Sequence, residues 1–233
     1  MTPRRTPPTA LVTGGSSGLG LALVRTLDDA GWVVVTDARD PDRLTTALEG
    51  STVHGVPGDV ADAPHRAVLV QTISDLDGLD LLVLNASTLG PLPMRPLAEL
   101  DPLELGEVIR TNAGAQAALM IAMADQLLAR GGVVIGISSD AAVNHYETWG
   151  AYGASKAALD HLVLTFGAET GLSTYAVDPG EMRTPMHEDA FPDEDISDRP
   201  LPETVVPHLL ALVEQRPPSG RLVASDVPVA VTA

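Results

Sequence analysis

Thr9-Ala10-Leu11-Val12-Thr13-Gly14-Gly15-Ser16-Ser17-Gly18-Leu19-Gly20 is the stretch on which the reading of this chain turns. Its first five residues form a short, largely apolar run that breaks at glycine, as a buried strand does. From Gly18 to Ala30 the apolar residues Leu19, Leu23, Val24 and Leu27 recur at helical spacing. Glycines between a strand and an amphipathic helix let the backbone turn sharply and approach another group closely. They also leave the first amides of the helix free to face a pyrophosphate. The spacing is G-x-x-x-G-x-G rather than the commoner G-x-G-x-x-G. Many glycine clusters are plain turns. The flanking strand and helix make this one a candidate nucleotide site.

The same alternation runs through the rest of the chain. Apolar runs at 32–36, 52–56, 79–84, 132–137, 173–177 and 220–224 predict six further strands. Helices are predicted at 40–48, 63–76, 103–129, 150–170 and 204–215, and 181–200 reads as irregular and acidic. Continuous apolar strands alternating with helices predict a parallel sheet covered on both faces. No composition break marks a boundary, so 9–233 is expected to be one catalytic, dinucleotide-binding domain. Residues 1–8 read as a flexible lead-in, and 186–200 as a solvated acidic loop. Ligands of such sheets bind outside the carboxyl ends of the strands, where the strand order reverses.

Composition narrows the partners. The 31 acidic residues against 14 basic ones give a net charge of −17, which repels nucleic acid and anionic membranes. A dinucleotide is still permitted, because local amides hold phosphate without net positive charge. There is no cysteine, hence no disulfide, thiolate site or cysteine nucleophile. No apolar run of about 18 residues suggests a membrane span. His187 and its neighbouring carboxylates are too loosely spaced for a metal site. A cytoplasmic protein acting on a small molecule is expected.

Lys156 is the only lysine; the thirteen other basic residues are arginines. Lysine is a compact ammonium on a thin stem, arginine a wide planar fork. Tyr152 lies four residues earlier, on the same face of a helix. An ammonium beside a phenol favours the phenolate and is expected to lower the tyrosine pKa, making it a useful acid and base. At the end of the second strand Asp37 can accept from the ribose hydroxyls of NAD and would repel the extra phosphate of NADP. Arg39 stands two residues on. NAD is favoured over NADP on this reading.

These residues together resemble the short-chain dehydrogenase/reductase family over nearly the whole length. The resemblance rests on Thr13 to Gly20, on Tyr152-x-x-x-Lys156, and on Ser139 thirteen residues before the tyrosine. Asn85-Ala86-Ser87 is similar to the family's Asn-Ala-Gly, with serine in the last place. Asp59-Val60 resembles the pair that borders adenine. Asp178-Pro179-Gly180, Met182 and Thr184 resemble the segment along the nicotinamide. Asn112 falls where the family keeps a catalytic asparagine, and the acidic segment 186–200 where it has a lid. The resemblance implies a seven-stranded Rossmann-type sheet in the order 3-2-1-4-5-6-7. It implies hydride transfer between a nicotinamide cofactor and a carbonyl or secondary alcohol. Ser139 would then hold the substrate oxygen, Tyr152 exchange the proton, Lys156 hold the nicotinamide ribose, and Asn112 hold a water leading to Lys156. An NADPH-preferring biosynthetic ketoreductase and a non-catalytic dinucleotide-binding regulator are the alternatives.

His145, Trp149 and Met186 are expected to border the substrate, since they flank the Ser139–Tyr152 interval or follow the sixth strand. The family often ends in a Gly-Gly-rich tail at a subunit interface, which Ala224 to Ala233 does not resemble. A homodimer or homotetramer is expected, the alanine-rich faces of 113–124 and 154–168 being candidates for helix pairing.

Overall fold

The computed structural model describes residues 7–229, so most of the expected lead-in over 1–8 lies outside the described residues. Seven strands form one sheet: β1 (Thr9–Val12), β2 (Val33–Ala38), β3 (His54–Pro57), β4 (Leu81–Leu84), β5 (Val133–Ile137), β6 (Ser173–Asp178) and β7 (Gly220–Val223). All pairings are parallel, in the order β3-β2-β1-β4-β5-β6-β7. The order reverses between β1 and β4, which opens a crevice at their carboxyl ends.

Side chains alternate across a strand, so the central strands feed two cores, while β3 at the edge is largely exposed. On one face Ala10, Val12, Val83, Ile135 and Val177 meet Leu23 and Leu27 of α1 (Gly18–Asp29) and Leu209 and Leu212 of a late helix, Val206–Gln215. On the other face Leu11, Leu82, Leu84 and Val134 meet four further helices. These include Leu69 and Ile73 of Ala63–Asp75 and Leu159 and Val163 of Gly150–Thr170. Burial on both faces is why the strands read as unbroken apolar runs. In chain order the helices are α2 (Pro41–Ala47), α3 (Ala63–Asp75), α4 (Pro102–Ile109), α5 (Ala115–Ala122), α6 (Ala124–Arg130), α7 (Gly150–Thr170), α8 (Pro185–Ala190) and α9 (Val206–Gln215).

Two segments depart from the sequence reading. The stretch 103–129, expected as one helix, is α4, α5 and α6, with a wide π turn over Arg110–Gly114. Asn112 sits in that turn, fully buried. Its Oδ1 accepts from Thr88 N at 2.8 Å, while Nδ2 donates to Thr88 O at 2.8 Å and to Ser155 Oγ at 2.9 Å. A π turn holds one extra residue and re-aims a side chain, a common reason for such a break. The segment 181–200, expected to be irregular, contains α8, whose cap is Thr184 Oγ1 accepting from His187 N at 3.2 Å. Arg199 then gathers the acidic residues around it, pairing with Glu181 at 2.8 Å and Asp198 at 3.0 Å.

Asn112→Ala strands the part-buried N–H and C=O of Thr88 and leaves Ser155 Oγ without its buried donor. It is expected to lower the unfolding free energy by about 2–4 kcal/mol. Urea denaturation reads this, and a loss below about 0.5 kcal/mol contradicts the bridging role.

Candidate active site

A cavity of about 750 Å³ opens at the carboxyl ends of the strands. Residues expected at the cofactor line it: Gly14, Ser16 to Gly20, Asp37, Arg39, Asp59, Val60, Asn85 to Ser87, Pro179, Gly180, Met182 and Thr184. Ser139, Tyr152, Lys156, Trp149 and Met186 line it too. Two expected residues do not. Asn112 lies behind the wall, its side chain bonded to Thr88 and Ser155. His145 is exposed and outside the cavity. Its neighbour Tyr146 takes the inward place, its hydroxyl donating to Asp140 Oδ2 at 2.7 Å, which turns His145 to solvent.

The glycine turn is shaped for an anion. Gly14 and Gly18 have φ of 73° and 54°, a region that favours glycine. A Cβ on Gly20 would lie 2.3 Å from Gly14 O and 2.6 Å from Asn85 Nδ2, so no larger residue fits. Thr13 Oγ1 accepts from both Asn85 N and Ala86 N at 2.9 Å, fastening this turn to the end of β4. Ser17 caps α1 in extended backbone without a side-chain bond. The first amides of α1 therefore have no side-chain partner and face the cavity, a geometry that suits a pyrophosphate.

Tyr152 and Lys156 stand one turn apart on α7, 8% and 2% exposed. Lys156 Nζ lies 5.5 Å from the phenol ring centroid and donates to Ile137 O, at the end of β5, at 2.7 Å. Burial draws the ammonium down to about 8, partly offset by Asp160. Burial pushes the Tyr152 phenol up to about 12, against the pull of the Ser87 and Ser139 hydroxyls; Asp140 and Asp178 push it further up. The expected lowering of the tyrosine pKa by Lys156 is thus outweighed by desolvation, which disfavours the phenolate. The nearby ammonium points to a backbone carbonyl rather than to the phenol oxygen.

Ser139 Oγ donates to Asp140 Oδ1 at 3.0 Å and accepts from Ala141 N at 3.1 Å. Its own carbonyl is held by Arg221 Nη2 at 2.8 Å. Arg221 also bonds Asp160 Oδ2 at 3.1 Å, and Ser138 Oγ donates to the same oxygen at 2.8 Å. This buried network fixes the loop after β5 against α7 and β7. Burial raises the Asp160 carboxyl above its usual range, while Ser138, Arg221 and Lys156 pull it back down. Ser87 Oγ is buried and, although near enough to Tyr152 to lower its pKa, makes no well-formed hydrogen bond, so a ligand atom would satisfy it. With the glycine cradle and the free amides of α1, it makes the site fit a dinucleotide with a small substrate beside it.

At the far end of the cavity Asp37 is 1% exposed and its Oδ1 accepts from Gly14 N at 2.8 Å. Arg39 and Arg43, both exposed, line the rim beyond it. Arg43 was not foreseen, because a lone arginine early in a short helix carries no pattern. Nor was Phe191, which joins the expected Trp149 in an aromatic wall. Trp149 meets Tyr152 edge-on at 5.5 Å and Phe191 at 5.8 Å, and Phe191 meets His187 at 4.9 Å. Phe191 is one of only two phenylalanines, set among acidic residues, and that isolation was the available signal.

A family model described as short chain dehydrogenase matches residues 8–195. A tropinone reductase homolog of Arabidopsis thaliana is 34% identical over 197 residues, covering 80% of this chain and 73% of its own. A short chain dehydrogenase of Shigella flexneri, solved in complex with NADP, superposes with a TM-score of 0.87 at 27% identity, covering 94% of this chain and 97% of its own. One of Escherichia coli, in complex with NADPH, gives 0.86 at 27% identity over 93% and 96%. Matched in sequence over residues 8–195 and in fold over most of its length, the chain belongs to the short-chain dehydrogenase family of oxidoreductases.

Proposed function

We propose that this protein interconverts a carbonyl compound and a secondary alcohol with a nicotinamide dinucleotide, Tyr152 being the proton donor and acceptor. The observation that carries the reading is the buried Tyr152 hydroxyl in the cavity wall, near Ser87 and Ser139, with Lys156 one turn below it. A bound nicotinamide would supply or take the hydride. The turn Gly14 to Gly20 would hold its pyrophosphate. Asp59 and Val60 would border the adenine. Asn85, Ala86, Ser87, Pro179, Gly180, Met182 and Thr184 would surround the nicotinamide end, and Lys156 its ribose.

A phenol pushed up to about 12 stays protonated at neutral pH, so Tyr152 is poised to give its proton to a carbonyl oxygen. Ser139 Oγ, turned from Asp140, would donate to the same oxygen and fix its position. Giving up that proton leaves a phenolate, which is also the form that takes a proton in the reverse direction, and the ammonium of Lys156 one turn away would favour it. Trp149, Phe191, Leu89 and Met186 give the substrate region apolar walls, while Asp140, Asp178 and Glu181 bring negative charge to its edge. This lining supports an uncharged, largely apolar substrate and disfavours an anionic one.

NAD is the cofactor that Asp37 supports, since a carboxylate at the ribose end accepts from two hydroxyls and repels a phosphate. NADP is the second reading, favoured by Arg39 and Arg43 at that rim and by the two relatives solved with NADP and NADPH.

Tyr152→Phe is expected to cut kcat by about 10³ while cofactor affinity stays nearly intact; substantial residual turnover removes the tyrosine from the acid role. A pH profile gives a second check. The ammonium of Lys156 is present below about 8 and lost above it. kcat/KM in the reducing direction should therefore fall as pH rises through that value, and a profile flat to higher pH contradicts the assignment. Titrating NADH and NADPH against the emission of Trp149 separates the two cofactor readings. Tighter NADH binding, with discrimination lost in Asp37→Ala, supports Asp37; tighter NADPH binding in the unaltered protein selects the arginine reading.

A further inference from the structure

His65 is a buried imidazole that the proposed chemistry leaves unused. It lies in the first turn of α3, 9% exposed. Its Nε2 is 3.0 Å from Asp37 Oδ2. A carboxylate only accepts, so this nitrogen carries the hydrogen and donates. The other oxygen of Asp37 accepts from Gly14 N at 2.8 Å, and its backbone carbonyl accepts from Gly15 N at 3.0 Å. The aspartate is therefore held from two sides, by the glycine turn and by α3.

The room for this ring is itself built. A Cβ on Gly58 would lie 2.2 Å from His65 Nδ1, and Gly58 has a φ of 157°. Gly58 N donates to Ala38 O at 2.9 Å, which keeps the loop after β3 tight against the end of β2. Only glycine at 58 leaves space for an imidazole to reach Asp37 from α3.

We propose that His65 is a positioning residue for cofactor choice, holding the Asp37 carboxylate in the orientation that receives the adenosine ribose. The inference rests on the reading of Asp37 as the ribose acceptor. A carboxylate accepts through two lone pairs on each oxygen, so bonds to Gly14 and His65 leave acceptor capacity for ribose hydroxyls. A pre-oriented acceptor loses less freedom on binding than one that must first be ordered. Fixed negative charge at this point also keeps the 2′ position closed to phosphate. Freed from His65, the carboxylate can rotate away, and both effects weaken.

The test is a double-mutant cycle read as dissociation constants of NADH and NADPH, with no substrate required. His65→Leu is expected to weaken NADH by about tenfold and NADPH by much less. His65→Gln, which keeps a donor on a side chain of similar reach, should recover most of the loss. In an Asp37→Ala background His65→Leu should change neither affinity. Thermal melting of each variant shows that it is folded, and a merely structural histidine would lower the melting temperature without moving the NADH/NADPH ratio. The proposal is overturned if His65→Leu leaves that ratio unchanged, or moves it equally with and without Asp37. An Asp37→Ala protein that keeps the original ratio removes the ribose-acceptor reading and the role of His65 with it, whereas a ratio that shifts in Asp37→Ala but not in His65→Leu removes the role of His65 alone.

Discussion

The hydrogen bond from Lys156 Nζ to Ile137 O is the contact on which the site depends. It joins α7 to the last residue of β5 and so fixes the helix carrying Tyr152 against the strand that leads to Ser139. An ammonium in this place has little water around it, and burial disfavours its charge. Arginine could not replace it easily, because its planar fork needs more room than one buried carbonyl offers. That is a physical reason for the only lysine of the chain to stand here.

Three strand ends converge on the same cavity, each locked by a different device. The turn after β1 is tied to β4 by the Thr13 hydroxyl and the Asn85 amide. The loop after β5 is held from below by Asp160 and Arg221. The end of β2 is anchored through Asp37 to Gly14. These ties leave other polar groups of the cavity wall open. The polar groups left open there are Ser87 Oγ, the Tyr152 hydroxyl and the first amides of α1, and these are the groups a ligand would need.

The sheet was legible because its strands are buried on both faces, and the glycine turn because only glycine permits its backbone. The Ser139, Tyr152 and Lys156 positions were legible because strand ends and a four-residue helical spacing bring them together. Side-chain direction in loops was not. Nothing in 144–149 says that Tyr146, rather than His145, lines the cavity. The π turn at Asn112 was hidden in alanine-rich helical periodicity, which does not register one extra residue. The sign of the tyrosine shift was missed for a different reason: a charge pair reads from spacing, but desolvation reads only from burial. His65 was invisible because its partner is twenty-eight residues away and belongs to another element.

A chain with a single lysine permits one direct measurement. Labelling lysine with ¹³C and ¹⁵N gives one side-chain signal, that of Lys156, which can be followed with pH by NMR. Titration at about 8 is the predicted result for a buried ammonium beneath Tyr152. Titration near 10.5, the ordinary lysine value, would mean that the side chain lies in water, and would contradict the site described above.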